Sequence, residues 1–259
     1  MFKTIIMNAK GGCGKTTIAT NLASYYASHG YNTALFDYDP QGSSSQWLKR
    51  RSGELPAVQG VAAFQQGNTS TRSWLMRLSP ETERVIIDTP AGVRPHEVVT
   101  YLKGVSTILV PVLTSVIDIE ASAQFVQELA KLPRVRNKQI QVVVVANRVK
   151  TRSPALRIMK EIFTDQGVPV IAQLRDTVSY VQGTDLGIGI HELPSNRAKI
   201  ERRAWQTLIT AIDSDFDKRA HKDDEPSTTV IQSIADNTIR DIPLSIPLAD
   251  AGRYSVSWK

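Results

Sequence analysis

Cysteine is almost absent from this chain, with one in 259 residues, at Cys13. A single thiol excludes a disulfide framework, and it excludes any cluster or metal site built from cysteine pairs within one chain. Long apolar runs are missing too. The longest fully apolar stretch is Val142–Ala146, far short of the roughly 20 residues that cross a bilayer as a helix. A strand-like run begins at the first residues, so no secretion leader is expected. The expected setting is the cytosol.

What is present is ordinary in bulk and uneven in charge. A hydrophobic content of 41% and a charged content of 22% suit a globular protein with room for one large α/β domain. The net charge is +6. Residues 1–220 hold 27 Lys/Arg against 19 Asp/Glu, while the remaining stretch to Lys259 holds four against six. A basic body with an acidic tail suits a polyanionic partner such as DNA, although a mildly basic soluble protein needs no such partner.

Short runs rich in Val and Ile alternate with amphipathic stretches. The strand candidates are Lys3–Met7, Thr33–Phe36, Arg84–Ile87, Thr107–Val110, Gln141–Ala146 and Val168–Ile171. They are apolar on both faces, as in a parallel sheet covered by helices. Helices are expected over Thr16–His29, Ile119–Leu132, Pro154–Gln166 and Asn196–Arg219. This alternation predicts a doubly wound α/β fold in a domain spanning residues 1–217. Residues 218–259 form an expected tail, with a charged linker at Lys222–Ser227, a weak apolar stripe over Val230–Ile239, and Pro243 and Pro247 beyond it.

The chemistry begins at Lys10-Gly11-Gly12-Cys13-Gly14-Lys15-Thr16-Thr17, which follows the first strand and opens a helix. Glycines let the backbone approach an anion closely, and the helix N-terminus adds its positive dipole. Lys15 would reach the β- and γ-phosphates of a nucleotide, and the Thr16 hydroxyl would sit on Mg²⁺. The general phosphate-loop pattern wants glycine six places before Lys15, where this chain has Ala9. Read instead as Lys-Gly-Gly-x-Gly-Lys-Thr, the loop resembles the deviant version found in the ParA/MinD family of dimeric ATPases. The likeness covers roughly residues 1–215, because three further motifs follow in order.

The first of these is Asp37-Tyr38-Asp39-Pro40-Gln41-Gly42, at the end of the second strand, where ligands of such folds bind. By resemblance, Asp39 orients the attacking water and Asp37 lies nearer Mg²⁺ and the loop lysine. The second is Val85-Ile86-Ile87-Asp88, an apolar strand delivering one carboxylate, so Asp88 would hold the Mg²⁺ shell. Thr89-Pro90-Ala91-Gly92 after it looks like a switch loop. The third is Val142–Ala146 followed by Asn147. In the family an Asn here reads the adenine edge, though a side-chain amide capping a loop is the alternative. Gly11, Gly12, Cys13, Gly14 and Thr17 complete the expected nucleotide contacts. By the same resemblance, Lys10 crosses an ATP-sandwich homodimer to the partner's phosphates, so the catalytic set is Lys10, Lys15 and Asp39.

The branch follows from what else is missing. Iron–sulfur members need further cysteines, and the tyrosine-kinase branch needs a C-terminal tyrosine cluster where this tail has only Tyr254. A MinD-like membrane helix would want basic residues along Val230–Ile239, and only Arg240 is near. Two basic clusters are candidates for non-specific double-stranded DNA. One is Arg148, Lys150 and Arg152, and the other is Arg197, Lys199, Arg202 and Arg203. Either could equally be a solvated face. The resemblance therefore implies a nucleoid-associated positioning ATPase using ATP and Mg²⁺, with a ParB-like or McdB-like cargo adaptor that stimulates hydrolysis. The cargo would be a carboxysome-like organelle, a plasmid or a protein cluster. A MinD-like membrane-associated regulator is the alternative. Trp47, just after the Asp37–Gly42 segment, fits the small positioning proteins; taken alone it reads as packing.

Overall fold

Valine and isoleucine crowd the backbone and favour extended conformations, and their runs become the strands of one sheet. The computed structural model describes residues 1–66, 78–150, 153–194 and 198–223, without side chains at 65, 66, 95, 96 and 215–223. The strands are β1 (Phe2–Ile6), β2 (Thr33–Asp37), β3 (Val58–Ala62), β4 (Arg84–Asp88), β5 (Thr107–Leu113), β6 (Gln141–Val149) and β7 (Val170–Arg175). Their order is β3-β2-β4-β1-β5-β6-β7, and every neighbouring pair is parallel. A parallel sheet puts all its carboxyl ends along one edge, so the loops after β1, β2, β4, β5 and β6 emerge together.

The helices are α1 (Lys15–Ser28), α2 (Ser43–Arg50), α3 (Pro95–Tyr101), α4 (Val116–Lys131), the single turn α5 (Pro133–Arg136), α6 (Pro154–Asp165), α7 (Val178–Leu186) and α8 (Lys199–Asp223). They cover both faces of the sheet. Alternate strand residues feed two separate cores: Ile5, Val85, Ile87, Val144 and Ala146 pack with Phe125, Leu129 and Phe163. Ile6, Ile86, Val143 and Val145 pack with Ile18, Leu22, Trp47 and Trp205. Each such aliphatic side chain, fully buried, contributes about 1.5–3 kcal/mol. Trp47 is 1% exposed, so packing is its role in the fold. No helix among the described residues is long and apolar enough to cross a membrane.

The doubly wound parallel sheet matches the sequence expectation, and the differences have local causes. β3 was not anticipated. It is an edge strand whose Gln59 and Gly60 are exposed, so it carries no continuous apolar run. The last helix runs on to Asp223, into the expected linker, because no breaker occurs before Pro226. The chain divides into Met1–Asp217 and Lys218–Lys259. Of the second unit only the helical residues 218–223 are described, so the Val230–Ile239 stripe, Tyr254, Pro243 and Pro247 lie outside the described residues. Asn196, Arg152 and Arg197 lie outside them as well.

Candidate functional site

The loop between β1 and α1 turns twice through left-handed backbone, at Gly12 (φ 71°) and at Gly14 (φ 91°), the residue that caps α1. A β-carbon on Gly14 would meet Asn147 Nδ2 at 2.2 Å, so glycine is required there by contact as well as by φ. The loop is tied at three points. Asn8 is fully buried, and its amide donates to Pro111 O and to Ser122 Oγ, each at 2.8 Å. The Cys13 thiol donates to Lys10 O at 3.3 Å, and burial pushes this thiol's pKa up. Asn147 Nδ2 donates to Cys13 O at 2.8 Å. This last bond is the loop-holding alternative for Asn147, and it leaves the amide oxygen of Asn147 for another donor. Asn8 has no signal in the sequence, since its bonds reach over 100 residues away.

The two lysines of the loop differ. Lys15 is buried, with Nζ 3.5 Å from Lys10 O. Lys10 is half-exposed and pairs with Asp118 on the first turn of α4 at 3.8 Å.

Asp88 closes β4 and pairs in register with both Ile6 and Asp37. It is fully buried, and Ser44 Oγ donates to its Oδ2 at 2.5 Å. Burial pushes its carboxyl up to about 6, against hydrogen bonds from Ser44 and Thr16. Its Oδ1 has no protein partner. A buried carboxylate with one unspent oxygen, beside a threonine hydroxyl and Lys15, is a donor set that fits a hard divalent cation such as Mg²⁺. Asp37, expected in the metal set, stands beside Asp88 in the β2–β4 register and already carries two backbone bonds. Its Oδ1 accepts from Asp39 N at 3.1 Å and its Oδ2 from Ser45 N at 2.8 Å, so both oxygens shape the loop into α2. Asp39 is half-buried and accepts from Gln41 N at 2.9 Å. Thr89 donates to Ile6 O at 2.8 Å, tying the Thr89–Gly92 loop to β1.

Beside Asn147 lies a cavity of about 210 Å³ lined by Thr17, Asn147, Arg148, Asp176, Thr177 and Tyr180. It has the place and lining of a base pocket next to the phosphate loop. Arg148 adopts φ 49° at an irregularity in the β6–β7 pairing, which re-aims the chain after Asn147.

Of the two basic clusters, Lys150 lines a groove of about 410 Å³ together with Arg175, Ile200 and Glu201. Arg148, Lys150, Lys199 and Arg203 are exposed. Arg202 is not part of this set: its guanidinium donates to Ile190 O and Leu193 O and so ties α8 to the preceding loop. Arg175, which the sequence did not single out, pairs with the buried Glu201.

Known proteins resemble this chain. The profile of the CobQ/CobB/MinD/ParA nucleotide binding domain matches residues 4–185. A maintenance of carboxysome distribution protein A from Halothiobacillus neapolitanus is 30% identical over 214 residues, 82% of this chain and 97% of that one. Apo McdA from Cyanthece superposes with a TM-score of 0.62 at 17% identity, over 80% of this chain and 99% of that one. MinD from Pyrococcus horikoshii, complexed with Mg-ADP, gives 0.63 at 16% identity, over 82% and 96%. With the profile matched over most of its length, and a relative 30% identical over 82% of it, the chain belongs to the CobQ/CobB/MinD/ParA nucleotide-binding family.

Proposed function

We propose that this protein is a ParA-type ATPase that dimerises with ATP, binds DNA without sequence preference and positions an intracellular cargo. The observation that carries the reading is the unequal pair of lysines on one loop. Lys15 is buried against the loop, suited to the phosphates of its own nucleotide. Lys10 is half-exposed and, among the described residues, is held by a water-accessible ion pair that it can leave to serve a second nucleotide. Two ATP molecules facing each other across a dimer need cations between them. In this reading Gly11–Gly14, Lys15, Thr16 and Thr17 hold the phosphates, and Asn147 accepts from the adenine amine. Asp39 orients water. Thr16 and Asp88 hold Mg²⁺, which when bound neutralises charge on the phosphates. The domain is residues 1–217, with 218–259 as a tail.

The exposed cations Arg148, Lys150, Lys199 and Arg203 support a DNA-facing surface. The carboxysome-distribution relative supports an organelle as cargo, served by a McdB-like or ParB-like adaptor that stimulates hydrolysis. Co-sedimentation with ATP tests the reading against the membrane alternative. Two unrelated DNA duplexes should bind alike. For about four phosphate contacts, affinity should fall roughly 100-fold between about 50 and 200 mM salt. Lys150→Glu should weaken both duplexes equally. Binding to anionic liposomes and not to DNA would favour a MinD-like role instead.

A further inference from the structure

The Ser43-Ser44-Ser45 run looks like a plain polar start to a helix, but its three residues sit differently. Ser43 is exposed, Ser45 is half-buried and Ser44 is completely buried. A serine at a helix start is often the N-cap, just ahead of the first turn. Here Gly42 is the capping residue, in left-handed backbone, and no side chain caps α2. The Ser44 hydroxyl is instead spent on Asp88 Oδ2, at 2.5 Å and 44 residues away.

The neighbouring residue does the matching job. Ser45 N donates to Asp37 Oδ2 at 2.8 Å, and Asp37 and Asp88 are partners in the β2–β4 register. The first turn of α2 thus grips the carboxylates that end two adjacent strands. One of them, Asp37, is fully spent on backbone N–H groups. The other keeps Oδ1 without a protein partner, although Asp88 is 0% exposed. A buried carboxylate free to rotate would turn that oxygen toward a protein donor and close the site. A donor fixed on the opposite oxygen prevents this rotation.

Resting on the reading of Thr16 and Asp88 as the cation site, we propose that Ser44 is a positioning residue for it: its hydroxyl locks the Asp88 carboxylate so that one oxygen stays open for the divalent cation. The far end of α2 keeps the helix from following Asp88 if that carboxylate moves. Trp47 is buried on the same face as Ser44, and Arg51 lies over its ring, 5.3 Å from the centroid. Arg51 in turn pairs with the buried Glu192 at 2.5 Å. The donor is therefore carried by a helix fixed at both ends.

Calorimetric titration of the full chain with ADP, at a series of Mg²⁺ concentrations including none, tests this. Outer partners of metal ligands are typically worth 10–100-fold in metal affinity. Ser44→Ala should raise the half-saturating Mg²⁺ concentration roughly 10-fold, while ADP affinity without Mg²⁺ stays within about twofold of wild type. Ser43→Ala should change neither, and Ser44→Thr, which keeps the hydroxyl, should restore the Mg²⁺ response. Ser44→Cys keeps the volume with a weaker donor and should fall between Ser and Ala, which serves if the alanine variant does not fold. An unchanged Mg²⁺ response in Ser44→Ala overturns the proposal while leaving the cation site standing. A parallel loss of Mg²⁺-free ADP binding also overturns it, since the residue would then be structural alone. A wild-type chain that binds ADP equally with and without Mg²⁺ overturns the cation site itself, and this proposal with it.

Discussion

Lys10 Nζ lies 3.8 Å from Asp118 Oδ1, so the outer lysine of the phosphate loop is held by its own chain. Both side chains have water access, and such pairs are worth about 0–1 kcal/mol. Lys10 can therefore leave Asp118 for a stronger anion at little cost. Lys15, buried behind it, has no such freedom. Lys10→Ala should abolish ATP-dependent dimerisation while keeping nucleotide affinity of the monomer within about twofold, since Lys15 still holds the phosphates. Light scattering with ATP and calorimetry with ADP measure the two quantities. An ATP-dependent dimer that survives in this variant would refute the role given to Lys10.

Asp39 sits on a loop that Asp37 builds by accepting from the backbone N–H groups of Asp39 and Ser45. Removing the Asp39 carboxylate leaves the two bonds to Asp37 in place; it deletes the group proposed to orient water together with the acceptor of Gln41 N. Asp39→Ala should slow phosphate release by about 100-fold or more, the usual range for a positioned acid–base group, and should lengthen the life of the ATP dimer. Turnover at the wild-type rate would count against this role.

Asp88 makes the unliganded protein sensitive to pH. Burial raises its carboxyl to about 6, well above the value of an unfolded aspartate. A raised folded-state value means that the folded chain binds the proton more tightly than the unfolded chain between about pH 4 and 6. Its contribution to stability is full below that window and is lost as pH rises through about 6. At neutral pH the buried charge costs on the order of 2 kcal/mol, which a bound cation relieves. Asp88→Asn should raise the melting temperature of the apo protein by several degrees at pH 7 and by much less at pH 4. It should also remove the extra thermal protection that Mg²⁺ gives on top of ADP. A variant that melts below wild type at pH 7 without ligands would contradict this account.

Lys15, Thr16 and Asp88 could be singled out because each sits in a local pattern: a glycine turn ahead of a helix, and a carboxylate ending an apolar strand. The central strands were legible for the same reason, since Val85-Ile86-Ile87 and Val142–Ala146 are buried on both faces. β3 was not, because an edge strand with exposed Gln59 and Gly60 leaves no such run. Asn8 and Ser44 were invisible because their partners, Pro111, Ser122 and Asp88, are far off in the chain and nearby only in the fold. The bonds of Asp37 and Arg202 to backbone groups were equally invisible in their runs: N–H donors for Asp37, the carbonyls of Ile190 and Leu193 for Arg202.

Arg51 and Glu192 form an ion pair with side chains only 5% and 7% exposed, joining the end of α2 to the loop after α7. Arg51 also donates to Gly187 O at 3.2 Å, and Glu192 accepts from Gly189 N and Ser28 Oγ at 2.8 and 2.9 Å. Burial opposes the charge on Glu192, but the bonds from Arg51 and Gly189 outweigh it and hold the carboxyl below its usual range. Stability from this group is therefore present above the unfolded value and is lost as pH falls through the lower folded one. Removing one partner strands a buried charge, which costs about 3–5 kcal/mol, whereas removing both charges costs much less. Arg51→Met should therefore destabilise the chain strongly in urea. Arg51→Met with Glu192→Gln should recover much of the loss, because the amide oxygen of Gln can still accept from Gly189 N while its amide nitrogen can donate to the Ser28 hydroxyl. The recovery should be visible at pH 7 and should fade near pH 4, where the stranded carboxyl of the single variant takes up a proton. Strictly additive effects at pH 7 would mean that the two side chains do not act on each other, and that α2 is held at this end by packing around Trp47 alone.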